Sequence, residues 1–130
     1  MKTKLSMYDM ERIQKAATIL QENLTHNWTI LELSFEVKLT DKKLKAGFKQ
    51  EFLMGPHAYL RNARIELVKK MLVSDKSIRV IVTKTGFGSV SGLSKTFKKV
   101  VGVTPTEFKN NPELWDTDIE AVFQSTVNRM

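Results

Sequence analysis

The stretch SIRVIVTKTGFGSVSGLSKTFKKVVGVTPTEFK, residues 77–109, decides the fold. Its apolar residues recur at three- and four-residue steps, the period of helices buried on one side, and the short run Val80-Ile81-Val82 is too brief to read as a strand. Ser77 is a helix N-cap, since its hydroxyl can accept from an otherwise unpaired backbone N–H. Gly86 can adopt the left-handed turn that ends a helix, Phe87 plugs the corner, and Ser89 or Ser91 opens a second helix with Leu93 and Phe97 inward. Thr104-Pro105-Thr106-Glu107 joins a capping box to a proline at the first helical position, starting a short helix that ends near Asn110-Asn111-Pro112. The stretch therefore reads as short helix, tight turn, longer helix, then a closing helix.

The same unit occurs earlier in the chain. Thr29-Ile30-x-x-Leu33 matches Ser77-Ile78-x-x-Ile81, and Leu44-x-x-x-Phe48-Lys49 matches Leu93-x-x-x-Phe97-Lys98. Pro56 and Tyr59 follow the first copy at the places where Pro105 and Phe108 follow the second. A repeat of this kind marks two copies of one supersecondary unit. In the first copy Thr29 and Glu32 suggest a capping box, a helix runs to about Val37, Lys38-Leu39 makes the turn, and Thr40 caps the longer helix. Lys38 lacks glycine's freedom, so this turn is expected to be the more strained of the two.

Between the two copies, residues 56–73 read as a linker helix with Leu60, Ala63, Leu67 and Met71 on one face. Eighteen residues give a length of roughly 27 Å, close to one helical repeat of a DNA duplex. A helix from about Asp9 to Leu24 is expected to cover the first unit with Ile13, Ala16, Leu20 and Leu24. The fold class is all-α: two helix-turn-helix lobes, at 9–55 and 74–111, joined by the linker helix, with an acidic helical extension at 112–130. Trp115, Ile119, Val122 and Phe123 form an apolar stripe in that extension, behind a cap at Thr117 and Glu120. It suits either a helix folded onto its own domain or a contact surface.

Composition narrows the function. The net charge of +7 is uneven: residues 1–109 hold 20 Lys/Arg against 10 Asp/Glu, and residues 110–130 hold one Arg against four acids. A basic body suits a polyanion, because lysines that neutralise phosphates release condensed counterions. Without cysteine, disulfides, thiolate zinc sites and cysteine nucleophiles are excluded. No run is long or apolar enough for a signal peptide or a membrane span, so a cytoplasmic location without membrane association is expected. His26 and His57 lie far apart without acidic ligand spacing, so no metal or other cofactor is expected. Trp28 and Trp115 read as packing residues. No glycine-rich phosphate loop, nucleophile elbow or catalytic carboxylate pair can be assembled, which argues against an enzyme.

The two longer helices carry the chemistry. A helix enters a major groove only if its outward face is small, polar or cationic. The first exposes Lys42, Lys43, Lys45, Lys49 and Gln50; the second exposes Ser91, Ser94, Lys95, Lys98 and Lys99, with no acid among them. Any single lysine is adequately explained by solubility, but two cationic helices at the same place in a repeated unit point to double-stranded DNA. The rival class is a basic helical module that meets acidic protein surfaces or membrane headgroups.

The stretch from Ile13 to Lys109 resembles the AraC/XylS-type DNA-binding domain, whose second half has the form S-I-x-x-I-A-x-x-x-G-F-x-S-x-S-x-F-S-R-x-F-K-x-x-x-G-x-[ST]-P-x-x-[FY]. KLTDKKLKAGFKQEF, residues 38–52, is similar to the family's KLKxGFK variant. The resemblance implies two helix-turn-helix lobes on a long helix and a transcription regulator, most often an activator. It also implies RNA polymerase as a further partner, and a separate effector or dimerisation domain upstream that this chain does not contain. Carried over by position, the base-reading places fall on Lys42, Lys45 and Ala46, and on Val90, Ser91, Ser94 and Lys95. Lys49 and Lys98 fall at backbone contacts, joined as phosphate candidates by Lys43, Gln50, Lys99 and, at the start of the Pro105 helix, Thr106. Ala46 and Lys95 replace common arginines, which removes bidentate Arg–guanine contacts and shifts the expected readout toward shape and thymine methyls. Val68 and Val82 stand where alanine is usual and Leu53 where glycine is usual, which leaves Gly55 as the expected helix cap. Gly47 is expected to weaken the first recognition helix by about 1 kcal/mol relative to alanine.

Overall fold

A computed structural model describes residues 3–115. These form seven α-helices: α1 (Met7–Glu22), α2 (Ile30–Val37), α3 (Asp41–Phe52), α4 (Pro56–Val73), α5 (Ile78–Thr85), α6 (Val90–Val101) and α7 (Pro105–Asn110), followed by a 3-10 turn at Pro112–Leu114. The expected cap at Thr117 and Glu120, and the stripe beyond Trp115, lie outside the described residues. The chain divides into two compact units within α4, between Arg61 and Asn62.

In the first unit, Ile13, Ala16 and Leu20 of α1 pack with Leu33 and Val37 of α2, Leu44 and Phe48 of α3, and Leu60 of α4. In the second, Ile65, Val68 and Leu72 of α4 pack with Ile81 of α5, Leu93 and Phe97 of α6, and Phe108 of α7. The sequence repeat is realised as a repeated contact. Phe48 meets Tyr59 edge-on at 5.5 Å and 80°, and Phe97 meets Phe108 at 5.5 Å and 74°. Such edge-to-face pairs contribute about 0.5–1.5 kcal/mol beyond the area they bury. Both tryptophans are packing residues: Trp28 lies against the first core, and Trp115 lies against the second while its Nε1–H donates to the Phe108 carbonyl at 2.8 Å.

Several expectations need correction. α1 begins two residues earlier than expected and ends two earlier, because Ser6 and Asp9 form a reciprocal capping box that fixes the start, while Asn23 ends the helix. At α2 and α7 the threonine half of the expected box is formed, Thr29 accepting from Glu32 N–H and Thr104 from Glu107 N–H. The Glu32 carboxylate instead turns to His26 Nε2 at 2.8 Å. Along α4 the buried apolar residues are Pro56, Leu60, Ile65, Val68 and Leu72, with Ala63, Leu67 and Met71 only half-buried. A helix that serves two cores needs no single stripe. Ser89, rather than Ser91, caps α6 by accepting from Gly92 N–H at 3.0 Å.

The turns show how each unit closes. Gly86 ends α5 at φ 86°, ψ 1°, a left-handed conformation natural to glycine. Lys38 occupies the corresponding place after α2 at φ 57°, ψ 44°, which costs a side-chain-bearing residue roughly 1–2 kcal/mol. Gly55 does not cap α3. Leu53 does so itself at φ 57°, ψ 22°, its N–H reaching the Lys49 carbonyl at 3.0 Å.

Candidate nucleic-acid interface

Each unit positions its longer helix from beneath. α3 is fastened to α1 through residues spaced four apart, a single face of the helix. Lys43 Nζ lies 3.1 Å from Asp9 Oδ2 near the N-terminal end. Gly47 is buried in the middle, where an added Cβ would land on Cδ1 and Cγ1 of the fully buried Ile13. Glu51 accepts from Gln14 Nε2 at 2.7 Å near the C-terminal end. From α2, Ser34 Oγ donates to Asp41 Oδ1 at 2.8 Å, fixing the first turn of α3. Gly47 is therefore a close-approach residue, and the reading of it as a simple weakness is corrected. α6 lacks these polar ties, since Gly92, Thr96 and Val100 stand at the equivalent positions. Leu93 and Phe97, both fully buried, anchor it instead.

The opposite faces are left outward. On α3, Lys42, Lys45, Ala46 and Lys49 follow one another at helical i, i+3, i+4, i+7 spacing; the three lysines are exposed and Ala46 is half-buried. Gln50 is exposed at the edge of this face. On α6, Ser91, Ser94, Lys95 and Lys98 occupy the matching positions, all exposed except the half-buried Ser94, with Lys99 exposed beside them. Val90, the first residue of α6, is 42% exposed, an apolar group available at the helix start. Thr106 is exposed in the first turn of α7. Lys43 differs from its neighbours: it is only partly exposed and is paired with Asp9, whose side chain is 6% exposed.

The charge pattern follows from where the acids are engaged. Asp41 holds Ser34 and Glu51 holds Gln14, so the acids of α3 serve its attachment, while α6 has none. The Ser6 backbone N–H holds the Asp9 carboxyl below the usual carboxylate range, and Lys43 acts in the same direction against the opposing effect of burial. Sequence reasoning missed Asp9, Ser34, Asp41 and Gln14. Only Asp9 left a local signal, the Ser6-x-x-Asp9 spacing of a capping box. Among the described residues no group of His, Asp or Glu could hold a metal ion, and no helix is long and apolar enough to cross a membrane.

Two short-helix-to-long-helix units, each presenting a cationic or hydroxyl-bearing second helix, define a protein of the double helix-turn-helix class. The family model described as a helix-turn-helix domain matches residues 33–111, and the chain belongs to this family, in its AraC-type branch of DNA-binding domains. It is 34% identical over 101 residues to a protein of Streptomyces antibioticus named as an AraC-like transcription regulator, covering 77% of this chain and 33% of that one. Similarity to the Escherichia coli HTH-type transcriptional activator FapR is 29% over 96 residues, covering 74% of this chain and 37% of FapR. The fold matches the C-terminal domain of AraT, a response regulator from Geobacillus stearothermophilus, with a TM-score of 0.72 at 22% identity, over 83% of this chain and 88% of that domain. The chain thus spans about a third of the length of the Streptomyces antibioticus protein and of FapR.

Proposed function

We propose that this chain binds double-stranded DNA sequence-specifically in the cytoplasm to regulate transcription, with α3 and α6 entering successive major grooves. The observation that carries this reading is the recurrence, on the same face of two repeated helices, of Lys42, Lys45, Ala46 and Lys49 in one and Ser91, Ser94, Lys95 and Lys98 in the other. Lys42, Lys45, Ala46, Val90, Ser91, Ser94 and Lys95 are assigned to base edges. Lys49, Gln50, Lys98, Lys99 and Thr106 are assigned to phosphates. Lysine can donate to guanine O6 or N7 but not as arginine's fixed fork, and Ala46 and Val90 suit thymine methyls, so discrimination at single positions is modest and groove shape contributes. The family and the FapR similarity support a transcriptional role, for which RNA polymerase is the natural further partner.

Selection from random duplex DNA followed by fluorescence anisotropy tests the reading. A preferred sequence should emerge, survive excess nonspecific DNA, and lose affinity steeply with salt. Equal binding to every duplex, or none, would favour the rival protein-interaction module.

A further inference from the structure

Lys43 sits in the recognition helix among lysines available to DNA, yet its ammonium lies 3.1 Å from the Asp9 carboxylate of α1. That carboxylate is nearly enclosed, and the same Oδ2 accepts from Ser6 N–H at 3.0 Å while Asp9 N–H donates to Ser6 Oγ at 3.0 Å. Asp9 is thus locked by its own capping box and cannot follow Lys43 outward. A Lys43 that swung to a phosphate would give up its 3.1 Å pairing and leave that carboxylate with the Ser6 N–H alone, so the swing works against an existing interaction that its neighbours Lys42, Lys45 and Lys49 do not have to break. Lys43 also lies on the attaching face of α3, in line with Gly47 and Glu51, rather than with Lys42, Lys45 and Lys49.

Resting on the DNA-binding reading above, we infer that Lys43 and Asp9 form a positioning pair that sets the angle of α3 on α1, and that Lys43 is not a phosphate contact. The expectation that grouped Lys43 with the phosphate lysines is thereby replaced. The pair acts on sequence readout through Lys42, Lys45 and Ala46, which ride on the same two turns of helix. α6 carries Gly92 at the equivalent place, so only the half-site read by α3 depends on such a pair.

The test uses the whole chain with Asp9→Asn, Lys43→Met, the double variant and Lys43→Arg, measuring affinity against salt and base preference across the selected site. Circular dichroism confirms folding of each variant. Asp9→Asn and Lys43→Met should each weaken binding about five-fold, and the double variant should be no worse than either, the signature of coupled partners. Preference should relax only at the positions read by α3, the salt slope should match wild type, and Lys43→Arg should restore preference. A phosphate contact behaves differently: Lys43→Met would lower the slope by about 0.9 and weaken all sequences alike. That result, a tighter-binding Asp9→Asn, or relaxation at both half-sites equally would overturn the inference while leaving DNA binding intact. A wild-type chain without sequence preference would instead refute the functional reading, and the inference with it.

Discussion

Replacing Gly47 with alanine should destabilise the first unit, although alanine is the better helix former. On propensity alone the substitution stabilises α3 by about 1 kcal/mol. Against this, the new methyl would occupy the space of Ile13 Cδ1 and Cγ1, and Ile13 is fully buried in the first core, so its side chain must shift into packed surroundings. Overpacking of this kind costs about 1–3 kcal/mol, and a clash with two atoms of a fully buried side chain belongs in the upper part of that range. The net expectation is a loss of about 1–2 kcal/mol, or several degrees in Tm for a unit of this size. Trp28 packs in the first core and Trp115 in the second, so urea unfolding of Trp28→Phe and Trp115→Phe backgrounds reports the units separately. The loss should register through Trp28 and not through Trp115. Ile13→Ala, which alone should cost about 2–5 kcal/mol, should cost measurably less in a Gly47→Ala background, where the added methyl fills the vacated space. A Gly47→Ala chain as stable as wild type, with additive effects at Ile13, would refute the close approach of α1 and α3.

Lys38→Gly and Leu53→Gly should each raise stability by about 0.5–1 kcal/mol in urea unfolding, because both positions are left-handed; Leu53, 41% exposed, loses some packing and should gain less. Lys45→Ala and Lys95→Ala should relax base preference at a few adjacent positions at a cost on the order of 1–3 kcal/mol, whereas Lys49→Ala and Lys98→Ala should weaken all sequences uniformly and lower the salt slope by about 1, as read by anisotropy. Asp9 and Asp75 both titrate below the ordinary 3.8, Asp9 chiefly through Ser6 N–H and Asp75 through Lys109, so their contribution to stability is present above that value and lost as pH falls through the lowered ones. Acid unfolding monitored by circular dichroism should therefore become less steep below about pH 4 in Asp9→Asn/Asp75→Asn.

The repeat was legible because Leu44, Phe48, Pro56 and Tyr59 stand in the same register as Leu93, Phe97, Pro105 and Phe108, and equal spacing on equal helices produces equal contacts. The outward faces of α3 and α6 were legible for the same reason, since periodicity assigns faces. What lies between elements was not. The Ile13–Gly47 approach, the Asp9–Lys43 pair and the Ser34–Asp41 bond join residues distant in sequence or across a turn, and no spacing rule relates them. The buried face of α4 was misread because a helix shared between two cores obeys neither one's periodicity alone. Leu53 shows a third limit: a backbone geometry common to glycine was imposed on leucine by its surroundings, while Gly55 two residues later drew the expectation away.

Hydroxyl-radical footprinting of the chain on its selected site tests the two-helix account most directly. Two protected patches about 10 base pairs apart on one face of the duplex are predicted, with the patch of α3 lost in a Lys42→Ala/Lys45→Ala/Lys49→Ala chain and the patch of α6 retained. A single short patch, unchanged by those three substitutions, would contradict it.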